Sequence, residues 1–225
     1  MKKASRVIFA ALLAVGIISG FGAATYAAGN TDVTQVINAG VLTADIRDAS
    51  RVSVPSPSFA LSAVNFSYNC QASSGTIGSN SQRLYVDNPN AANNGWTLSI
   101  AATAGATATW HNTGSTQNFD FNDPTTAGCA DSADADSYVG QLSLDPTVST
   151  LTADCGSCTT TAITKGSSTG FNEGTTDSVT LLTAASGSDD IGRWYLTGIG
   201  VSQTIPADQA VDSYSINLTI TSTAS

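Results

Sequence analysis

The sequence predicts an all-β fold, a single antiparallel β-sandwich of roughly ten strands. Three observations lead there. Apolar residues recur at every second position and almost nowhere with helical spacing; clusters of Asn, Asp, Pro and Gly interrupt these runs; and the chain is dense in Ser, Thr, Gly, Ala and Asn, with only 11% charged residues.

The elements follow in order. A first strand is expected over residues 41–46, where Leu42, Ala44 and Ile46 share a face. Residues 49–58, with Pro55 and Pro57, read as a connection into the main sheet. Phe59, Leu61 and Ala63 then alternate, and Val64, Phe66 and Tyr68 do so one step out of phase, the pattern of a strand carrying a bulge. Trp96, Leu98 and Ile100 oppose Thr97, Ser99 and Ala101 across the next clear strand. Leu142 with Leu144, Val179 with Leu181, and Ile199, Val201 and Ile205 repeat the alternation more loosely. It is cleanest at the end, where Tyr214, Ile216, Leu218 and Ile220 face one way and Ser215, Asn217, Thr219 and Thr221 the other. One dry face and one wet face is the mark of an antiparallel sandwich. Turns are expected at Asp87-Asn88-Pro89-Asn90, Asn93-Asn94-Gly95, Asn122-Asp123-Pro124, Asp145-Pro146 and Ser186-Gly187-Ser188-Asp189-Asp190.

Ahead of the domain, Lys2, Lys3 and Arg6 precede an apolar run that closes on Ala23-Ala24-Thr25-Tyr26-Ala27-Ala28. This is the grammar of a secretory signal peptide over residues 1–28, cleaved after Ala27 or Ala28, leaving one domain over 29–225. An uncleaved membrane anchor is the alternative, thinned by glycines. Cleavage removes three of the eight basic residues and none of the seventeen acidic ones, so the formal charge moves from −9 to −12. Nucleic acid and anionic membranes are therefore poor partners, since both require a basic footprint.

Four cysteines in an exported chain read as disulfides. Of the three connectivities, Cys155–Cys158 with Cys70–Cys129 is favoured, because a four-cysteine zinc site brings two close pairs and this sequence has one. The β-branched run Thr159-Thr160-Thr161-Ala162-Ile163-Thr164 after Cys155-Gly-Ser-Cys158 also argues against a redox helix. No cysteine ends the signal peptide, so a lipid anchor is not expected.

Catalysis has little support. His111 is the single histidine and Glu173 the single glutamate, and no serine or threonine is singled out by a neighbouring base. The chain is read as a non-enzyme without a cofactor. The densest acidic stretch holds Asp120, Asn122, Asp123, Asp131, Asp134 and Asp136. A solvated acidic loop is the first reading, and calcium held by Asp131, Asp134 and Asp136 the alternative.

Arg83-Leu84-Tyr85-Val86-Asp87 followed by Gly95-Trp96-Thr97-Leu98-Ser99-Ile100 resembles the proximal motif of the WxL domain, a wall-binding domain of Gram-positive surface proteins. The family's distal motif falls on its last strand, after a proline. Here Ile205-Pro206 and Tyr214-Ser215-Ile216-Asn217-Leu218-Thr219-Ile220-Thr221 stand in the corresponding place, with Ile220 where the second tryptophan would be. The resemblance implies an exported protein held non-covalently at a cell surface or wall, meeting peptidoglycan or another wall glycan, or other surface proteins, through Trp96, Leu98 and Tyr214. Core packing is the competing reading of Trp96, and of Trp110 and Trp194. The alternative function is a pilin-like or surface-layer subunit, a homo-oligomer built by adding the 41–46 strand to a neighbour's sheet edge.

Overall fold

A computed structural model describes residues 34–90, 94–131, 136–186 and 191–225; the signal-peptide expectation lies outside them. The chain divides into two compact units, Met1–Ile37 and Asn38–Ser225, and every element below belongs to the second. The fold is all-β: among the described residues fifteen mostly short strands form four antiparallel sheets, joined in places by two single-turn 3₁₀ segments.

Those sheets are halves of two bent ones. β2 (Gln71–Ile77) runs into β3 (Arg83–Asn88), β7 (Leu142–Asp145) into β8 (Thr150–Ala153), and β12 (Gly192–Thr197) into β13 (Ile199–Ile205). In one half the order is β1 (Thr43–Arg47), β3, β12, β8; in the other it is β10 (Thr169–Gly170), β7, β13, β2. The same chain passes are neighbours in both halves, so the ladder bends rather than ends. Gly198 makes the bend in β12–β13 with a φ of 71°, and its N–H donates to the Gly78 carbonyl at the matching bend. The opposing layer repeats the device. β4 (Trp96–Ala102), β11 (Ser178–Ala184), β9 (Ile163–Lys165) and β15 (Leu218–Ala224) form one half, in the order β15-β4-β11-β9. β5 (Trp110–Asn112), β6 (Asn118–Phe119) and β14 (Tyr214–Ser215) form the other, in the order β14-β5-β6.

One apolar core joins the layers. Leu84, Val86, Trp194 and Leu196 face it from one side and Trp96, Leu98, Ile100 and Val179 from the other, all buried. The Trp96 and Trp194 rings meet with centroids 5.5 Å apart. Gly95 opens β4 at a φ of 79°, where a Cβ would come within 2.5 Å of the Ala184 carbonyl oxygen. A bulge between Thr180 and Leu182 turns Leu181, Leu182 and Ala184 all inward.

Two elements differ from the sequence expectation. Residues 59–68 are no regular strand: Leu61 makes one bridge to Gly75 and Ser62 N–H donates to the Ser74 carbonyl, after which the segment leaves β2. Phe59 and Leu61 pack on the core, while Val64, Phe66 and Tyr68 are exposed. The change of phase marks a strap leaving a sheet edge, not a bulge within a ladder. The final run is also split, since β14 and β15 pair with β5 and β4 respectively, and Ile216 and Asn217 cross between the two halves of the layer. Ile216, Leu218 and Ile220 still face the core together, as the alternation requires.

The cysteines pair as expected, Cys70 with Cys129 (Cα–Cα 5.7 Å) and Cys155 with Cys158 (5.4 Å), and none is free. The first pair joins the end of the strap to the turn after Asp123. The second lies against Gly192, where a Cβ would approach Cys158 Sγ to 2.5 Å. Among the described residues no helix is long and apolar enough to cross a membrane.

Candidate functional site

The open place in the molecule is the half of the sandwich where the second layer runs short. β5, β6 and β14 supply only three, two and two residues over the sheet that carries β13. The gap is filled by aromatic rings instead of strand. Trp110 stacks on Phe119, with centroids 5.8 Å apart and planes within 8°, and Tyr214 meets Phe119 edge-on at 5.0 Å. Phe66 stands at the rim from the strap, edge-to-face with Tyr68. Between these rings, the strap and β13 lies a hollow of about 230 Å³.

Its polar lining is amide and hydroxyl. Gln203, 1% exposed on β13, accepts from Trp110 Nε1 at 2.7 Å and donates through Nε2 to the Asp120 and Thr204 carbonyls. The buried amide thereby fixes the indole's orientation. Gln209 Nε2 donates to the Tyr214 hydroxyl, which in turn donates to the Ala210 carbonyl. Asn65 and Gln71 complete the strap side. Asp212 is the one ionisable acid among the described lining residues, and no Lys, Arg or His joins it. The side-chain hydrogen bond from Asn112, followed by the Ser213 N–H, holds its carboxyl below the usual carboxylate range.

Three braces keep the hollow in shape. The Cys70–Cys129 bond ends the strap, Asp208 N–H donates to the Ser67 carbonyl, and Thr204 Oγ1 donates to the Ala127 carbonyl. A deeper, largely apolar cavity of about 290 Å³ continues beneath the strap, sharing Leu61, Trp110 and Tyr214 with the hollow.

The residues singled out in the sequence fall in different places. Tyr214 is in the cleft. Trp96 and Leu98 are fully buried between the layers, so neither can meet a ligand; the alternation that put them on one face put them on the core face. Trp194 is buried beside them, its Nε1 donating to the Thr159 carbonyl. Trp110 is the tryptophan that lines a cavity, and sequence periodicity could not find it, because β5 is too short to alternate.

The acidic stretch is not one solvated loop. Asp120, Asn122 and Asp123 are buried, with Asp120 accepting from the Phe121 N–H and Asp123 from the Thr125 N–H. Asp131 and Asp136 are exposed, and Asp134 lies outside the described residues. Among the described residues no three His, Cys, Asp or Glu side chains converge as metal ligands. His111 sits half-buried on β5 with Nδ1 3.3 Å from the Thr109 carbonyl, and Glu173 N–H donates to the Asn122 carbonyl.

The cations gather elsewhere. Arg47, Arg83 and Arg193 lie on the outer face of the β1-β3-β12-β8 half, where Asp87 accepts from both Arg47 and Arg193. Arg47 covers the Tyr85 ring and Arg83 the Tyr195 ring, at 5.5 and 4.5 Å from the centroids. Arg51 reaches across to Asp154 with two hydrogen bonds of 2.7 and 2.9 Å. No family model, curated protein or solved structure matches the chain, so its site is described from its own geometry.

Proposed function

We propose that this is an exported, non-catalytic surface domain that binds cell-wall glycan non-covalently, and that the Trp110 cleft is where it does so. The cleft carries the proposal: flat rings beside fixed amides suit a sugar, which offers apolar C–H faces and hydroxyls at once. The WxL-like layout supports the same reading. The two motif strands are hydrogen-bonded neighbours, with Trp96 opposite Ala224 and Ile100 opposite Ile220, so they form the scaffold that positions Tyr214 and not the contact surface. The single carboxylate among the described lining residues fits recognition better than glycoside hydrolysis, which uses a pair. Two disulfides and the signal-like leader support an extracellular setting.

Co-sedimentation of the mature protein with purified wall sacculi tests the reading. Wild type should pellet and Trp110→Ala should stay in the supernatant with its melting curve largely preserved. Wild-type protein that never pellets at any salt concentration removes the wall-binding reading. The structural-subunit alternative draws on β1, an edge strand preceded by exposed Val41; Ser53 and Val54 already bridge Arg47 and Ile46, so another copy would pair along residues 41–45. Filaments by negative-stain microscopy would favour it.

A further inference from the structure

The aromatic hollow is not isolated. A second hollow of about 240 Å³ adjoins it, lined by Gln117, Asn118, Ser137, Tyr138 and Pro206 among others. Phe119, Gln209 and Ala210 line both. Each is smaller than the roughly 300–1,000 Å³ of ordinary small-molecule sites. The cavity beneath the strap is lined mainly by Ile, Leu, Val and Phe side chains, so a hydroxyl-rich ligand that outgrows the first hollow is better met over the pair. The second hollow repeats the chemistry of the first on a smaller scale. Tyr138 is 38% exposed and its hydroxyl accepts from Asn118 Nδ2 at 3.4 Å, setting a ring beside an amide again.

Charge narrows the ligand. The ionisable acids of the two described linings are Asp208 and Asp212, and neither lining holds a Lys, Arg or His. The internal segments outside the described residues add none, since Ala91-Ala92-Asn93, Ser132-Ala133-Asp134-Ala135 and Gly187-Ser188-Asp189-Asp190 contain no base. The four described arginines are engaged on the far half of the bent sheet by Asp87, Asp154 and the tyrosine rings, and Lys165 donates to the Thr147 and Ser149 carbonyls. An anionic sugar would meet two carboxylates without a counter-charge.

Building on the glycan reading above, we propose that the two hollows are adjoining subsites for one uncharged oligosaccharide that crosses Gln209, with the Trp110 platform holding one unit and Tyr138 another. The affinity is then shared between two ring contacts linked through a single chain, so it grows with ligand length until both subsites are filled.

Isothermal titration of the mature protein with N-acetylglucosamine oligomers of increasing length, and with galacturonic acid oligomers, tests this. Affinity should rise about tenfold or more from the shortest to the longer N-acetylglucosamine oligomers and then level off, roughly the gain expected of one further ring contact. Tyr138→Ala should remove that gain and leave the shortest binder unchanged, Tyr138→Phe should retain it, and Trp110→Ala should abolish binding at every length. Galacturonic acid oligomers should bind at least about tenfold more weakly. Length-independent affinity, or a Tyr138→Ala variant that behaves as wild type, overturns the two-subsite inference while the glycan reading stands. Equal binding of the acidic oligomers overturns the selection for uncharged chains. Sacculi bound but no oligomer bound overturns the inference alone; neither bound overturns the inference and the glycan reading together.

Discussion

The two ends of this sandwich solve the same packing problem differently. At the closed end, long strands β4 and β11 share one core with β3 and β12, and Trp96 meets Trp194 with no solvent access. At the open end, β5, β6 and β14 are stubs, and Trp110, Phe119 and Tyr214 span the gap beside a hollow. Both ends use paired aromatic rings, tilted at one and stacked at the other, so an aromatic cluster by itself says nothing about function. What separates them is the partner of each indole. Trp194 donates to a backbone carbonyl of a covering loop, whereas Trp110 donates to the buried side chain of Gln203, which holds the ring at the edge of an unfilled space.

The comparison is most severely tested by truncating each tryptophan in turn. Trp96→Ala should cost about 3–5 kcal/mol, because it removes a fully buried ring and leaves a cavity between the layers. Trp110→Ala should cost distinctly less, since that ring is half-buried beside existing space. Urea unfolding of both variants measures the difference. Equal losses would mean that the open end is as much core as the closed one.

The disulfides divide the same way. Cys70–Cys129 closes a loop of 59 residues at the open end and Cys155–Cys158 a loop of three at the closed end. Constraint of the unfolded chain predicts a loss of about 4 kcal/mol for Cys70→Ser and about half of that for Cys155→Ser. Thermal melts under non-reducing conditions check the ranking. A Cys70→Ser protein that melts with wild type would show that the strap braces nothing.

Gln203→Leu probes the support of the cleft more finely. The change strands Trp110 Nε1 and leaves the Asp120 and Thr204 carbonyls without their side-chain donor, and a buried unsatisfied group costs about 1–3 kcal/mol. The stability loss should come with weakened sacculus binding, because the indole loses its fixed orientation. Gln203→Glu keeps the acceptor for Trp110 and should recover part of the binding.

The closed end was far more legible in the sequence than the open one. Long strands with strict alternation, such as 96–102 and 218–224, declare their inward faces, and the pairing of four cysteines followed from their spacing. The motif that resembled a known family marked Trp96 as a candidate contact, yet the same alternation buried it. Short strands carry no period, so β5 and β6, and with them the placing of Trp110 and Phe119 in a cleft, were silent, while Tyr214 of β14 was legible only as the head of the long final run. The strap was misread for a related reason. Its apolar residues alternate, but Phe59 and Leu61 serve the core while Phe66 serves the rim of the cleft, a division set by where the chain leaves β2. The signal peptide expected over residues 1–28 lies outside the described residues, and mass spectrometry of the protein recovered from the culture medium or cell surface decides it: a chain beginning near Ala28 or Gly29 is the expected outcome, an intact Met1 the opposite one.

The smallest expected effect concerns the arginine face of the closed half, where acid should act and the cleft should not notice. The loop after β1 puts Arg51 in a left-handed conformation, φ 68°, with Ser50 and Val52 N–H donating to Asp48, and the side chain reaches Asp154 beyond the opposite edge strand β8. Hydrogen bonding from Arg51 holds the Asp154 carboxyl below its ordinary value, against an opposing contribution from burial. A depressed folded-state value means that the carboxylate adds stability above the unfolded value, about 3.9, and that this contribution disappears as pH falls through the folded value. Asp154→Asn should therefore lower the melting temperature at neutral pH by on the order of one or two degrees, as expected of a partly exposed pair in a domain of this size. The difference from wild type should shrink as pH drops below about 4 and vanish once both proteins are neutral at that position. Raised salt should shrink it as well, since Arg51 is exposed. Sacculus binding should be unchanged by Asp154→Asn at any pH where the fold persists, because the pair belongs to the closed half of the bent sheet and the cleft to the open one. Loss of binding in this variant would mean that the two halves communicate through the bend at Gly78 and Gly198, and that the open end depends on more than its own braces.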